Sequence, residues 1–293
     1  MKKLFTGVAT ALVTPFKKNE IDFTAMGRHI NAQIAQGVDA LIVLGTTGEA
    51  STLTLNEKHA VIAFAMEVVA GRIPVIVGIG GNNPANIIEL GQYAKSQGVA
   101  GVMVTAPYYN KATQAGLVRF FTTIAGTLKM PMIVYNVPGR AGVNILPQTL
   151  AEISRHRWVA GIKEASGDIG QIAEAVRLSK KPVYGGDDGL ALPCYSVGCV
   201  GIISVASNVD VQSVKDIWLA HKRSANTLAR SLFYEQLPFY RALFCEVNPI
   251  PVKYVLSTKG VCRNELRLPL TPLTSELQAL FHPSLGTSVN PSK

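Results

Sequence analysis

The residue best suited to covalent chemistry is Lys163, which ends the otherwise uncharged run Val159-Ala160-Gly161-Ile162-Lys163 and is followed by Glu164-Ala165-Ser166-Gly167. A short apolar run that breaks at Ser-Gly predicts a buried strand with an amine at its C-terminal end. Taking an ammonium out of water disfavours its charged form, and a neutral amine is a nucleophile for a carbonyl carbon. Two plainer readings compete: the side chain snorkels its head to solvent, or it pairs with Glu164. The strand alone leaves all three open.

Other chemistry-bearing residues follow apolar runs in the same way. Gly45-Thr46-Thr47-Gly48-Glu49 joins turn-forming glycines to hydroxyls and amides that can hold a carboxylate. Thr105-Ala106-Pro107-Tyr108-Tyr109-Asn110 and Tyr135-Asn136-Val137-Pro138-Gly139-Arg140 bring phenols and a cation, and Gly185-Gly186-Asp187-Asp188 and Ile202-Ile203-Ser204 complete the set. Singly, each has a plain explanation: core-edge tyrosines, a loop-capping arginine, threonines serving a turn. Brought to one face, a neutral amine, phenols that relay protons, hydroxyls and a guanidinium fit Schiff-base chemistry on a 2-keto acid.

The elements that would gather them are legible as a repeat. Apolar runs at 7–13, 40–45, 74–80, 101–106, 131–137, 159–164, 182–186 and 201–205 predict eight strands, separated by segments of helical spacing such as 57–70, 85–96, 117–128 and 169–178. Thr54 and Glu57 read as a capping box, Pro84 as a first helical turn, and Gly71, Gly98 and Gly126 as helix ends. Strands alternating with helices pair in parallel, and eight units predict a closed (β/α)8 TIM barrel, an α/β fold whose active site lies at the C-terminal strand ends. A doubly wound open sheet would leave the last strands unexplained and calls for a Gly-x-Gly-x-x-Gly that nothing here matches convincingly. Beyond the eighth strand, helical patterns at 211–224, 227–237, 252–259 and 273–280 predict the last barrel helix and a C-terminal helical appendage. The expected division is a catalytic barrel over 1–224, a C-terminal helical region over 225–281 and a disordered tail over 282–293.

Composition narrows the function classes. A chain of 293 residues that is 48% hydrophobic has ample material for one barrel. Its 28 Lys and Arg exceed 19 Asp and Glu for a formal charge of +9, but the cations are dispersed and no nucleic-acid motif accompanies them. A soluble basic surface, whose long-range field can help attract anionic substrates, is the simpler reading. No uninterrupted apolar stretch is long enough to predict a membrane span. The start, Met1-Lys2-Lys3 running to Ala9-Thr10-Ala11, imitates a secretory leader, yet its apolar part is short and broken by Thr6, Gly7 and Thr10. A first strand and a cytoplasmic enzyme are expected instead. Cys194, Cys199, Cys245 and Cys262 form no Cys-x-x-Cys and read as reduced thiols. His29, His59, His156, His221 and His282 show no ligand spacing, so no metal is expected.

The strings ALVTPF at 11–16, GTTGE at 45–49, VTAPYYNK at 104–111, YNVPGR at 135–140 and GIKEASG at 161–167 resemble the 4-hydroxy-tetrahydrodipicolinate (dihydrodipicolinate) synthases, collinearly through the barrel. That family sits within the pyruvate-aldolase superfamily that includes N-acetylneuraminate lyase. The resemblance implies that Lys163 forms an imine with pyruvate and that the derived enamine attacks the aldehyde of L-aspartate 4-semialdehyde. It implies a proton shuttle at Tyr135, linked through Thr46 to Tyr109, and a pyruvate-carboxylate pocket made by Thr47, Gly186 and the Ile203 backbone. It also implies that Tyr109 reaches into a neighbouring subunit's site, so that the enzyme is at least a dimer and usually a homotetramer, with no cofactor beyond the covalent imine.

Arg140 discriminates within the superfamily, since a guanidinium there suits the carboxylate of the semialdehyde, whereas sugar-acid aldolases use hydroxyl-binding residues. The alternative is such an aldolase, acting on N-acetylneuraminate or keto-deoxy-gluconate. A non-catalytic barrel is disfavoured by the intact Lys163, Tyr135, Thr46 and Tyr109 set, and pyridoxal phosphate by the lack of a phosphate cup or pyridinium partner. Lysine-inhibited relatives carry an effector site at positions matching Ala50, Ser51, Leu55, Lys58, Asn82, Asn86 and Tyr108. Leu55, Lys58 and Asn86 stand where those relatives commonly have two histidines and a glutamate, so weak or absent lysine inhibition is expected.

Overall fold

A computed structural model describes residues 3–281. Eight parallel strands close a barrel: β1 (Gly7–Ala11), β2 (Ala40–Val43), β3 (Val75–Gly78), β4 (Gly101–Thr105), β5 (Met132–Asn136), β6 (Val159–Glu164), β7 (Val183–Gly185) and β8 (Gly201–Ser204). Each pairs with the next in sequence, and β8 returns to β1 through Gly7↔Gly201 and Thr10↔Ser204. These are the eight expected strands. Only β6 keeps its expected bounds; the others are shorter, losing C-terminal residues that turn away into the loops of the barrel's upper face and, in β3, β5 and β7, also the proline that opens the expected run.

Local chemistry starts the helices. Thr54 and Glu57 form the expected reciprocal capping box before Leu55–Val69, and Asn83 caps Pro84–Ser96 with Pro84 in the first turn. Asp22 caps a helix over Phe23–Ala35, and Asp168 caps Ile169–Leu178. Gly71 and Gly98 follow helix ends with positive φ, as expected. Gly126 does not end a helix: Gln114–Leu128 runs through it, and Lys129 takes the left-handed position at φ 50°. A small antiparallel hairpin, Phe16–Lys17 with Glu20–Ile21, follows β1 and is too short to show periodicity.

Alternation along the strands sorts side chains into two layers. Ile76, Met103, Ile133, Tyr135, Tyr184 and Ile203 fill the barrel interior, where Phe5 stacks on Tyr184 at 4.3 Å and accepts a hydrogen bond from the Tyr184 hydroxyl at 3.0 Å. Outward residues such as Val77, Val104, Val134 and Ile162 pack beneath the helices.

After β8 come helices Val211–Lys222, Asn226–Ala242 and Ile250–Thr258, then the short Ser275–Gln278 and a 3-10 turn at Ala279–Phe281. The second outruns its expected end at Leu237 because Pro238 is accommodated inside it. The last helical pattern, expected over 273–280, yields only that single short helix and turn. These helices share an apolar cluster with Val8, Val13, Ile202 and Val205 of the barrel, closed by Tyr240, Leu243, Val252 and Phe281. The tail expected over 282–293 lies outside the described residues. The four cysteines are free, Cys194 and Cys199 buried. Among the described residues no helix is long and apolar enough to cross a membrane.

Candidate active site

Lys163 and Glu164 are neighbours in β6, and the two-residue period of the strand sends them to opposite faces. The Glu164 carboxylate lies outside the barrel wall, accepting from Asn136 Nδ2 at 3.1 Å and from the Ser166 amide at 2.9 Å. Its removal from water holds its pKa above the ordinary carboxylate value, against those hydrogen bonds. Lys163 turns inward, is only 6% exposed, and makes no ion pair among the described residues. Both plain readings of this lysine, snorkelling and pairing with Glu164, are therefore excluded.

The amine meets the next strand. Tyr135 of β5 is the register partner of Lys163, and Nζ lies 4.2 Å from the centroid of the Tyr135 ring. On the other side Gly186, just beyond β7, leaves room for the lysine stem. A Cβ at Gly186 would stand 2.9 Å from Lys163 Cε and 2.7 Å from Ala165 Cβ.

Above the lysine is a cavity of about 130 Å³ whose walls include Thr46, Thr47, Tyr135, Arg140, Gly186 and Lys163. Six of the eight residues expected to act on substrate thus come together from separate strand ends. Thr46 and Thr47 stand in a 3-10 turn, Thr46–Gly48, directly after β2, and Arg140 in the short helix Pro138–Ala141 after β5. Ile203 lies lower, wholly buried in the barrel interior, and Val205 lines the cavity in its place. Tyr109 is 90% exposed and does not reach the Lys163 cavity of its own chain. No hydrogen bond joins Tyr135, Thr46 and Tyr109 among the described residues.

Two residues of this site, Asn248 and Phe244, lie outside the strand ends expected to build it. Asn248 lies in the segment before Ile250–Thr258, donates from Nδ2 to Thr47 Oγ1 at 2.9 Å, and accepts on its peptide oxygen from Arg140 Nη2 at 3.0 Å. Its only local sign is Asn-Pro, which predicts a turn rather than a site. Phe244 lines the cavity from the same segment. Asp187 also faces the cavity; burial holds its pKa above the usual carboxylate value, while its bond from the Gly189 amide opposes the shift. Behind it Asp188 is fully buried, likewise raised by burial, and accepts from the Val205 and Ala206 amides at 2.9 and 3.0 Å.

A buried ion pair fixes the turn that carries the threonines. Glu49, left-handed at φ 51°, receives Lys253 Nζ at 2.5 Å on one oxygen and the Arg267 amide at 3.0 Å on the other. Lys253 also donates to the Glu265 peptide oxygen at 2.8 Å and sits 4.1 Å over the Phe16 ring. Burial holds the Lys253 pKa below the ordinary lysine value, with Glu49 opposing the shift.

Two further cavities lie beyond the first, one adjoining it and the other adjoining that one. One of about 330 Å³ shares Thr46 and Arg140 with it and extends to Ala50, Ser51, Lys58 and Tyr108. The other, of about 290 Å³, is lined by Leu55, Lys58, Asn82, Asn86 and Tyr108. The seven residues matched to an effector site thus border two adjoining cavities that share Lys58 and Tyr108, and burial lowers the Lys58 pKa.

Known proteins resemble the chain over most of its length. Residues 4–287 match the model of the dihydrodipicolinate synthetase family. A 4-hydroxy-tetrahydrodipicolinate synthase from Alkaliphilus oremlandii is 47% identical over 274 residues, covering 92% of this chain and 94% of that protein. The crystal structure of dihydrodipicolinate synthase from Thermotoga maritima superposes with a TM-score of 0.94 at 41% identity, over 96% of this chain and 98% of that one. A chloride-inhibited dihydrodipicolinate synthase from Acinetobacter baumannii, complexed with pyruvate, superposes with a TM-score of 0.93 at 35% identity, over 96% and 97% of the two chains.

Proposed function

The chain belongs to the dihydrodipicolinate synthetase family, and on that premise we propose that it condenses pyruvate with L-aspartate 4-semialdehyde to give 4-hydroxy-tetrahydrodipicolinate. This is the first committed step towards diaminopimelate and lysine. The observation that carries the reading is the pairing of Lys163 with Tyr135 across β5 and β6, a buried amine 4.2 Å from a phenol ring at the floor of a cavity. The complex of the Acinetobacter baumannii relative with pyruvate supports the first substrate.

The Lys163 amine adds to the keto carbon of pyruvate, and the carbonyl oxygen leaves as water, giving the imine. The cationic imine acidifies the adjacent methyl group. Loss of one of its protons gives an enamine whose carbon bonds to the aldehyde of the second substrate. The amino group of that substrate then attacks the imine carbon, closing the ring and releasing Lys163. Tyr135 carries protons to and from the imine, with Thr46 and Tyr109 as its relay. Thr47, Gly186 and the Ile203 backbone form the pocket for the pyruvate end, while Arg140 pairs with the carboxylate of the semialdehyde.

The exposure of Tyr109 suits a residue that serves a neighbouring subunit's site, so the working enzyme is at least a dimer and by family habit a homotetramer. It acts in the cytoplasm and needs no cofactor, the covalent imine supplying the electron sink. At the matched effector positions, Leu55, Lys58 and Asn86 offer a cation and no carboxylate to an incoming lysine, so inhibition by lysine is weak or absent.

Borohydride reduction in the presence of pyruvate, read by mass spectrometry, tests the reading. The wild-type chain gains the reduced pyruvyl adduct and Lys163→Ala does not. Turnover with aspartate semialdehyde, compared with cleavage of N-acetylneuraminate and keto-deoxy-gluconate, tests the second substrate. Adduct formation that survives Lys163→Ala overturns the imine, and cleavage of a sugar acid in preference to condensation overturns the second substrate.

A further inference from the structure

Asn248 touches both groups assigned to substrate carboxylates, and it does so from a segment outside the barrel strands. Its side-chain Nδ2 donates to Thr47 Oγ1 at 2.9 Å, and its peptide oxygen accepts from Arg140 Nη2 at 3.0 Å. The residue is buried, lines the Lys163 cavity, and its Oδ1 has no hydrogen-bond partner. The amide is therefore held through its donor end.

A threonine hydroxyl has one proton and two acceptor lone pairs. Where a neighbour donates to its oxygen, the hydroxyl proton is left to point elsewhere, and at Thr47 the open direction is the cavity. A carboxylate accepts hydrogen bonds and cannot donate them. Thr47 serves a carboxylate only when its proton is delivered outward. From this geometry we propose that Asn248 is a positioning residue that sets the polarity of the Thr47 hydroxyl, making it an obligate donor to the carboxylate of the keto acid. Through its peptide oxygen it also anchors the Arg140 guanidinium, so one residue fixes the spacing between the two anion-binding groups.

The inference rests on the proposed reaction, and the two fail separately. If the wild-type chain forms no borohydride-trapped pyruvate adduct, the reaction falls. If the wild type forms it and the following measurements go the wrong way, only the role of Asn248 falls. The pyruvate concentration giving half-maximal trapping is measured for the wild type, Asn248→Ala, Thr47→Val and the double variant. The amide donor disappears in Asn248→Ala while the peptide oxygen facing Arg140 remains. Half-saturation by pyruvate therefore rises by about tenfold, the order of one lost hydrogen bond to a charged group, while the KM for the semialdehyde changes little. In the Thr47→Val background the same substitution adds no further rise, because there is no hydroxyl left to orient.

An unchanged or tighter pyruvate response in Asn248→Ala shows the opposite polarity, with Thr47 donating to the amide, and overturns the proposal. So does an equal rise in the Thr47→Val background, which marks a merely structural residue. Should alanine fail to fold, Asn248→Leu, close in size and without donors, replaces it in both backgrounds and is read by the same criteria.

Discussion

Gly186 and Lys163 pack so closely that no side chain fits between them: a Cβ at position 186 would stand 2.9 Å from Lys163 Cε. The Glu164 peptide oxygen, 3.3 Å from that Cβ, and the Ala165 Cβ, at 2.7 Å, block retreat in other directions. In Gly186→Ala the lysine stem must move. Overpacking of this kind costs about 1–3 kcal/mol of stability, measurable by urea unfolding. The larger loss is in chemistry, since a displacement of ~1 Å in a reacting group can lower a rate by about 100-fold. Single-turnover trapping of pyruvate by borohydride reads that loss directly, and a trapping rate equal to wild type would refute the steric argument.

Tyr109 is exposed in its own chain and is assigned here to a neighbour's site. Co-expression of Tyr109→Ala chains with Lys163→Ala chains then rebuilds active sites from two defective parents. With random pairing, half the dimers are mixed and one of their two sites has both residues, so activity returns to about a quarter of the wild-type level. Recovery no greater than the sum of the two parents places Tyr109 outside the partner's site.

Lys253 and Glu49 form a wholly buried pair, and leaving one charge alone is costly. Lys253→Met should lower unfolding stability by about 3–5 kcal/mol. Adding Glu49→Gln restores part of the loss, because a neutral amide oxygen still accepts from the Arg267 amide, so the double variant is more stable than the lysine variant alone. Denaturant melts of the three proteins measure the coupling. Because Glu49 directly follows the turn Thr46–Gly48, the single variant also needs more pyruvate for half-saturation.

Glu164 supplies a pH signature. Burial raises its folded pKa above the ordinary 4.5, so between that value and its folded pKa the native state binds more protons than the unfolded chain. Its contribution is full below the unfolded pKa and is lost as pH rises through the folded pKa. Glu164→Gln removes this component, so stability of the variant falls less than that of the wild type as pH rises above the ordinary carboxylate value of 4.5. Urea midpoints across that range check it, and parallel curves would contradict the assignment.

The strand ends were legible in sequence because each apolar run stops at a glycine or polar residue whose type suggests a task. Lys163 and Tyr135 could be named from their own strands, and the barrel then made them neighbours. Asn248 could not be named this way. It meets Thr47 across 201 residues, and nothing local to Glu246-Val247-Asn248-Pro249 signals that contact. Glu49 and Lys253, 204 residues apart, were hidden for the same reason. Gly126 misled because a glycine is the usual left-handed residue at a helix end, whereas here Lys129 takes that conformation and the helix runs on. The chemistry-bearing amine was local information; the contacts that orient its surroundings are set by tertiary packing.

Thr47, Arg140 and Glu49 all receive contacts from residues beyond the eighth strand. A ribosome making this chain releases the nucleophile and every barrel strand before it releases Asn248, Lys253 and Arg267. The nascent barrel thus carries its lysine early, but Thr47, Arg140 and Glu49 gain these contacts only after Asn248, Lys253 and Arg267 have left the exit tunnel. The order of synthesis thus separates the amine from its anchors, and a chain ending after β8 holds Lys163 without the contacts that fix Thr47, Arg140 and Glu49.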